Sequence, residues 1–275
     1  MPRTSISTWS LHRGLGPKYR LATDGSGHVE PDGGWGPGEW PLLDVPGQLA
    51  ERGIQCLEIC HFHFPRIDMG YIAELRRALE FAGVELWNVL IDAGDITHPE
   101  QARREADLDW IRGWIGVAAR CGAKNVRVIA GDAQPDGDGH AVRLSAAGLR
   151  QLSAYAQERG VRVMTENWHA LTMRPKNLLA LLDRLEGEVG LCVDFGNYSG
   201  PTKYEDLAAI MPRATSTHAK AHFPQAGQMD REDYRRCLDL TRKASFNGPY
   251  TMIFDGPGDE WNSLATIQEE LRPYL

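Results

Sequence analysis

The spacing of hydrophobic residues along this 275-residue chain alternates between short β-rich runs and longer segments of helical period, about eight times in all. The predicted strands are residues 4–9, 55–60, 84–91, 125–130, 161–166, 189–194, 215–221 and 250–255. The predicted helices are residues 43–53, 69–82, 99–121, 142–159, 175–186, 203–211, 231–246 and 259–272. Several helices carry boundary signals, such as Pro99 at a start and Gly53, Gly122 and Gly160 at ends.

Strand followed by helix, eight times in a chain of this length, predicts a (β/α)₈ TIM barrel of the α/β class, formed by residues 1–275 as a single domain. A doubly wound open sheet is the alternative. That fold would require a glycine-rich phosphate-binding turn after an early strand, and the segment "TWSLHRGLG" is a poor version of one.

Residues 13–41 depart from the pattern, because they contain eight glycines and two tryptophans where a barrel needs only a short first loop. Long ordered loops in compact domains are usually lids or binding loops. We therefore expect a lid over the active site, with Trp35 or Trp40 as its apolar contact. The alternative is an insertion without a role.

Composition and charge limit the classes of function. The chain is 42% hydrophobic and 24% charged, with a net charge of −7, so it lacks the basic field of a nucleic-acid or anionic-membrane binder. The N-terminus has no apolar leader and no run approaches 18 apolar residues, so we expect a cytoplasmic protein. The five cysteines form no C-x-x-C pair and are expected to be reduced and buried, and the apolar content permits a homo-oligomer.

Polar residues at strand ends are the main candidates for chemistry, because a barrel builds its active site at the carboxyl ends of its strands. Predicted strands end on Glu166, Asp194 and Asp255, and "HAKAH" carries His218. Strand alternation places Lys220 and His222 on the same side as His218. One such carboxylate alone could be a helix cap, but four strand ends together indicate a functional site.

Three carboxylates and an imidazole that converge on the barrel axis would repel one another without a cation among them. An oxygen-rich set with one nitrogen suits Mn²⁺, Mg²⁺, Co²⁺ or Fe²⁺, and Zn²⁺ is also compatible. We therefore expect one divalent metal ion, with Mn²⁺ favoured, bound by Glu166, Asp194, His218 and Asp255.

The strand endings "TEN", "CVDFGN" and "HAKAH", together with the acid that ends the eighth strand and the opening "STWSLHR", resemble the xylose isomerase-like TIM barrels. This sugar-phosphate isomerase/epimerase superfamily includes ketose 3-epimerases, keto-inositol dehydratases and isomerases, and endonuclease IV-type AP endonucleases. The resemblance covers essentially the whole chain. It is specific for the superfamily and weak for any single activity.

By position, the resemblance implies that Glu166, Asp194 and His218 are metal ligands, that Asp255 stands where the family usually has glutamate, and that Lys220 occupies a frequent family lysine. The family often reads D-x-x-H after its sixth strand, whereas this chain has Asn197 in place of that histidine. The substrate-binding residues expected besides Lys220 come from several loops: Trp9, His12, Trp35, His61, His63, Asn197 and His222.

The activity implied is that of an isomerase or epimerase acting on a keto-sugar or related polyol through an enediolate. Glu166 would remove a proton, Asp255 would be its partner, and Lys220 or His222 would stabilise the oxyanion. Delivery of the returned proton to a leaving hydroxyl would instead make a lyase or dehydratase of a keto-inositol or oxidised glycoside. An AP endonuclease is disfavoured by Asn197 and the acidic charge, whereas a catalytically lapsed binding barrel is favoured by Asn197 and Asp255. No phosphate-binding signature separates phosphorylated from free sugars.

Overall fold

The computed structural model of the protein describes residues 2–22, 27–137 and 139–275. Eight parallel strands close into a barrel, in which the first strand pairs with both the second and the last. The barrel strands are β1 (Thr4–Ser7), β4 (Cys56–Cys60), β5 (Glu85–Ile91), β6 (Asn125–Val128), β7 (Arg162–Glu166), β8 (Gly190–Asp194), β9 (Ser216–Lys220) and β10 (Tyr250–Ile253). The predicted TIM barrel is therefore confirmed, and closure of the sheet rules out the doubly wound alternative.

Helices surround the barrel. They are α1 (His12–Leu15), α2 (Val45–Glu51), α3 (Met69–Ala82), α4 (Gln101–Cys121), α5 (His140–Gln157), α6 (His169–Thr172), α7 (Pro175–Leu185), α8 (Lys203–Ile210), α9 (Arg231–Lys243) and α10 (Glu260–Leu271). All eight predicted helices are present, with ends that differ by up to three residues, and the short α1 and α6 were not predicted. The helix boundary chemistry is visible in α3, where the Asp68 carboxylate accepts from the Tyr71 N–H and Gly83 ends the helix at a φ of 66°.

The two faces of the barrel strands differ in chemistry. Most side chains that point outward toward the helices are apolar, as Ile59, Val126 and Val193 illustrate, and they form part of the main hydrophobic core. The inward positions carry many polar and ionisable groups, among them Glu58 and Arg127. Burial of the outward face stabilises the barrel, so the inward face is available for chemistry.

A second, two-stranded antiparallel sheet occupies much of the predicted lid. Strands β2 (Pro17–Leu21) and β3 (Val29–Gly34) form a hairpin, and residues 23–26 of the predicted lid lie outside the described residues. Trp35 follows β3 and lies 4.6 Å from His12 and 5.5 Å from Trp9, measured between ring centroids. Trp40 packs instead on Gly14. The hairpin is thereby attached beside the first barrel strand.

Two further features concern the state of the cysteines and the possibility of a membrane-spanning helix. All five cysteines are buried, and none forms a disulfide. Among the described residues, the helices include none that is long and apolar enough to cross a membrane.

The contact between Gly14 and Trp40 generates a stability prediction. A Cβ at position 14 would lie 2.0 Å from the Trp40 ring, so Gly14→Ala must displace the indole and is expected to lower the free energy of unfolding by about 1–3 kcal/mol. Gly47→Ala is the matched control, because nothing lies within 4 Å of its Cβ position in α2, and it should be neutral or stabilise by about 0.5–1 kcal/mol. Urea unfolding curves measure both changes. Equal stability of the two variants would contradict the packing described.

Candidate active site

A cavity of about 250 Å³ opens at the carboxyl ends of the barrel strands. Every barrel strand, or the loop that directly follows it, contributes to its wall. The lining residues are Ser7, Trp9, Cys60, Phe62, Leu90, Asp92, Arg127, Glu166, Trp168, Asp194, Asn197, His218, Lys220, Ile253 and Asp255. The cavity therefore contains the four strand-end residues identified from sequence, in the place that the barrel fold predicts.

His218 lies at the centre of the ionisable groups. Its Nε2 lies 2.8 Å from Oε2 of Glu58, whose side chain is fully buried. Its Nδ1 lies 3.4 Å from Oε1 of Glu166 and 3.7 Å from Oδ2 of Asp194. Burial alone would lower the pKa of His218, but the Cys192 sulfur and the carboxylates of Glu166 and Glu58 raise it well above its ordinary value. A proton on Nδ1 thus occupies the position where two carboxylates converge.

Glu166 is held from two directions. Asn197 Nδ2 donates a hydrogen bond of 2.9 Å to Oε1, and Arg127 Nε lies 3.0 Å from Oε2. The second contact is an ion pair without hydrogen-bond geometry, so Oε2 has no hydrogen-bond donor among the described residues. Burial would raise the pKa of Glu166, but His218 and Arg127 lower it, which keeps the group a carboxylate.

Asp194 divides its two oxygens between structure and cavity. Oδ1 accepts hydrogen bonds from the backbone N–H groups of Gly196, at 2.6 Å, and Asn197, at 2.9 Å, which fixes the loop after β8. Oδ2 faces His218. One oxygen of Asp194 therefore fixes the loop and the other faces the cavity, and neither caps a helix.

Asp255 lies in the cavity wall and pairs with Lys220, and its role as a metal ligand stays a prediction. It lies two residues beyond the end of β10, and its Oδ2 is 2.5 Å from Lys220 Nζ. Burial would lower the pKa of Lys220, but Asp194 and Asp255 raise it, so the ammonium form is favoured. Asp255 lines the cavity, but as the partner of Lys220 rather than beside His218.

Two carboxylate oxygens near His218 Nδ1 have a spacing close to that of metal ligands. Ligand atoms of one ion lie about 3–3.5 Å apart when each is about 2.1 Å from the metal, and the separations around His218 Nδ1 are close to that range. Metal-bound histidines usually donate their other N–H to a carboxylate, which is the relation of Nε2 to Glu58. The Glu166 oxygen nearest to His218 Nδ1 is Oε1, whereas Oε2 faces the Arg127 guanidinium.

Cys192 enters this donor group as well. Ligand atoms of Glu166, Cys192 and His218 all lie within 4.8 Å of one another in the described structure, whereas Asp194 is close only to His218. Burial, which disfavours the charged thiolate, raises the pKa of Cys192 to about 11. The thiol is therefore neutral when no metal is bound, and Cys192 and Asp194 are both candidates for a third ligand.

The charges at the cavity also favour a cation. Carboxylates outnumber basic groups there, and two negative charges remain uncompensated even when His218 is protonated. The carboxylates are Glu58, Asp92, Glu166, Asp194 and Asp255, and the basic groups are Arg127, His218 and Lys220. A divalent ion would offset that excess.

The remaining predicted substrate-binding residues are divided between the cavity and its surroundings. Trp9 and Asn197 line the cavity, whereas His12, Trp35, His61, His63 and His222 are not part of its wall. His61 accepts from the Asp92 N–H, and burial lowers its pKa to about 4. His63 lies 2.8 Å from Thr8 Oγ1, and burial lowers its pKa to about 3. Both histidines are neutral supports of the loops behind Phe62.

Four contributors were missed by the sequence analysis: Glu58, Asp92, Arg127 and Trp168. Arg127 Nη1 lies 2.5 Å from Asp92 Oδ1, and its guanidinium stands 5.1 Å from the Trp168 ring. The sequence did contain a signal for Glu58 and Arg127. The segments "CLEIC" and "NVRV" each place one charged residue inside an otherwise uncharged strand. Such a residue must face a polar barrel interior or be unpaired in the core.

Comparison with known structures gives the same fold for this chain. A D-psicose 3-epimerase from Clostridium cellulolyticum H10, solved with D-tagatose, has a TM-score of 0.69 and 12% identity, covering 99% of this chain and 98% of that chain. A xylose isomerase-like TIM barrel protein from Mycobacterium smegmatis, in complex with magnesium, has a TM-score of 0.68 and 16% identity, with coverages of 100% and 97%. A probable 3-DHS dehydratase from Bacillus anthracis has a TM-score of 0.68 and 13% identity, with coverages of 98% and 97%.

These identities are low, so the likeness concerns the fold. Comparison with curated protein sequences gives no match. The family model described as xylose isomerase-like TIM barrel matches residues 47–267, which is most of the chain and includes β4 to β10. The protein therefore belongs to the xylose isomerase-like TIM barrel family.

Proposed function

We propose that the protein is a divalent-metal-dependent isomerase or epimerase that acts on a keto-sugar or related polyol through an enediolate. The observation that supports this most directly is the placement of His218, with Nε2 held by buried Glu58 and Nδ1 facing Glu166 and Asp194. Glu166, Asp194 and His218 would hold the ion, with Mn²⁺ favoured by the oxygen-rich set. The epimerase and dehydratase named among the similar structures are compatible with this class of reaction.

When bound, a divalent ion supplies Lewis acidity to adjacent carbonyl and hydroxyl oxygens of a substrate. The protein's own part begins with Glu166, which accepts a proton from the carbon beside the carbonyl. The C–H electron pair then becomes the C=C bond of the enediolate, and the carbonyl π pair moves to oxygen. Asn197 and Arg127 hold the Glu166 carboxylate in one orientation for this step.

Lys220 and Asp255 serve the other side of the reaction. The ammonium of Lys220 is a proton donor and a positive charge beside developing oxyanion charge, and Asp255 orients it through their 2.5 Å contact. A proton returned from this pair to carbon on the opposite face gives an epimer. Return of a proton to the neighbouring carbon gives the aldose/ketose isomer.

The aromatic residues of the wall suit a sugar ring. Trp9, Phe62 and Trp168 line the cavity beside the ionisable groups. Their apolar faces can pack on the C–H groups of a sugar while its hydroxyl groups meet the charged residues. Trp35 packs edge-on against Trp9, and we propose that the β2–β3 hairpin thereby limits solvent access at this rim.

A lyase or dehydratase is the second candidate, and the Lys220–Asp255 contact favours it. The Lys220 ammonium, held by Asp255, can give its proton to a leaving hydroxyl in place of carbon. Transfer of that proton to a hydroxyl on the carbon next to the enediolate would release water. The enediolate oxygen pair then re-forms the carbonyl, the C=C pair shifts toward that carbon, and the C–O bond of the leaving hydroxyl breaks. Detection of a dehydrated product in place of an epimer distinguishes the two.

The role of Glu166 is tested by proton exchange. Ketoses, keto-inositols and oxidised glycosides are incubated with protein and Mn²⁺ in deuterated water, and loss of the proton beside the carbonyl is followed by NMR. Glu166→Gln cannot accept the proton and is expected to lower the exchange rate about 10²–10⁴-fold. Glu74→Gln, an exposed change on α3, is the control and should exchange like the wild type. Unchanged exchange in Glu166→Gln would remove Glu166 as the base.

The role of Glu58 is tested by metal affinity. Glu58→Gln replaces the carboxylate that holds His218 Nε2, so the imidazole becomes a weaker ligand and its ring less well oriented. The dissociation constant for Mn²⁺, measured from free Mn²⁺ by electron paramagnetic resonance, should rise about 10–100-fold. An affinity equal to that of the wild type and of Glu74→Gln would contradict the assignment of His218 as a ligand.

The role of Arg127 is tested by kinetics. Arg127→Lys keeps a positive charge but loses the planar fork that spans Asp92 and Glu166 and stacks beside Trp168. We expect kcat to fall about 10–100-fold with a smaller change in KM, because the base is misplaced rather than removed. Arg159→Lys, an exposed arginine on the outer surface, is the control. A change confined to KM would assign Arg127 to substrate binding instead.

A further inference from the structure

A second cavity, of about 450 Å³, adjoins the candidate active site. Lys220 and Asp255 belong to the walls of both cavities. The loop after β8 is also shared, because Asn197 faces the first cavity and Ser199 the second. The two spaces thus lie on either side of one ion pair and one loop.

The side chain of Lys220 forms the boundary between the cavities. A Cβ at Gly196 would lie 2.7 Å from Lys220 Cδ, so the lysine stem lies directly against the glycine backbone before its ammonium reaches Asp255. Both charged groups are about one-third exposed, at 29% and 33%. A ligand that covers this ion pair can therefore contact both cavities at once.

The wall of the second cavity is polar, but its cations are already paired. Lys203 Nζ lies 2.6 and 2.7 Å from the two carboxylate oxygens of Asp233, and Lys220 is paired with Asp255. Asp230 adds another carboxylate, so acids exceed lysines there, and the exposed His222 is the further basic group of the wall. A phosphate would meet this negative excess without a dedicated cation. Neutral hydroxyl groups can bond to the carboxylates, to Ser199 and to the loop backbone.

We propose that the second cavity binds a neutral, hydroxyl-rich group joined by a glycosidic bond to the reacting keto-sugar. The substrate is then a non-phosphorylated keto-glycoside, with its reacting ring in the first cavity, its glycosidic oxygen near the Lys220–Asp255 pair and its second ring against Ser199. This inference rests on the proposed function of the first cavity. It goes further by assigning a second binding site and the chemical class of its ligand.

The inference is tested with three probes that share fructose as the reacting unit. They are D-fructose, D-fructose 6-phosphate, and lactulose, in which galactose is linked to O4 of fructose. Exchange of the C3 proton in deuterated water is measured with Mn²⁺ present. We expect kcat/KM to be at least about tenfold higher for lactulose than for fructose, and lowest for the phosphate ester.

Ser199→Trp fills the second cavity from an exposed loop position and leaves the first cavity's wall unchanged. It should abolish the preference for lactulose over fructose, and the matched Ser199→Ala should retain it. Equal kcat/KM for fructose and lactulose, or a preference that survives in Ser199→Trp, would overturn the second site and leave the proposed function standing. Faster exchange of the phosphate ester would overturn the neutral ligand class. Absence of exchange with all three probes would contradict the proposed function as well as the inference that rests on it.

Discussion

The contact between Glu58 and His218 is the constraint on which the rest of the site depends. Both side chains are buried, and a carboxylate held inside the barrel fixes the ring of His218 so that Nδ1, not Nε2, faces Glu166 and Asp194. Without that contact the imidazole could rotate, and two buried carboxylates would lose the positive group between them. A proton and a divalent ion compete for the same nitrogen, since metal ligation requires Nδ1 to be deprotonated.

The barrel can carry this charge because stability and chemistry lie on opposite faces of the same strands. Outward residues such as Ile59 and Val193 are buried under the helices, where apolar area removed from water stabilises the fold. The inward positions contain Glu58, Arg127 and His218, ionisable groups that are costly to bury unless they are paired or hydrogen-bonded. Each of the three has an ion-pair partner across the barrel.

Much of the fold could be predicted from sequence because its signals are local. Eight β-rich runs, each followed by a helical period, specify a barrel, and the barrel places Glu166, Asp194 and His218 at one end. The β2–β3 hairpin was missed although β2 alternates between polar and apolar residues over Lys18–Leu21, because that run is short and the glycines of residues 13–41 indicate a loop. The lid function expected for residues 13–41 stays a prediction.

The contacts that each site residue makes were harder to predict from the sequence, because they join side chains that meet across the barrel. Glu58 lies 160 residues from His218 in the chain, and nothing local links the two. Arg127 lies inside a strand and not at its end, so the strand ends do not reveal it, although a charge inside an otherwise uncharged strand is itself a sign of a polar interior. The pairing of Asp255 with Lys220 depends on the backbone beyond β10 and on Gly196, which leaves room for the lysine stem.

The most direct test of the central claim is a crystal structure of the protein soaked with Mn²⁺, with anomalous scattering recorded to locate the ion. The account predicts one manganese peak within bonding distance of His218 Nδ1, Glu166 and Asp194, with Glu58 still bound to Nε2. A peak away from His218, or full occupancy of another site with the His218 region unchanged, would contradict it.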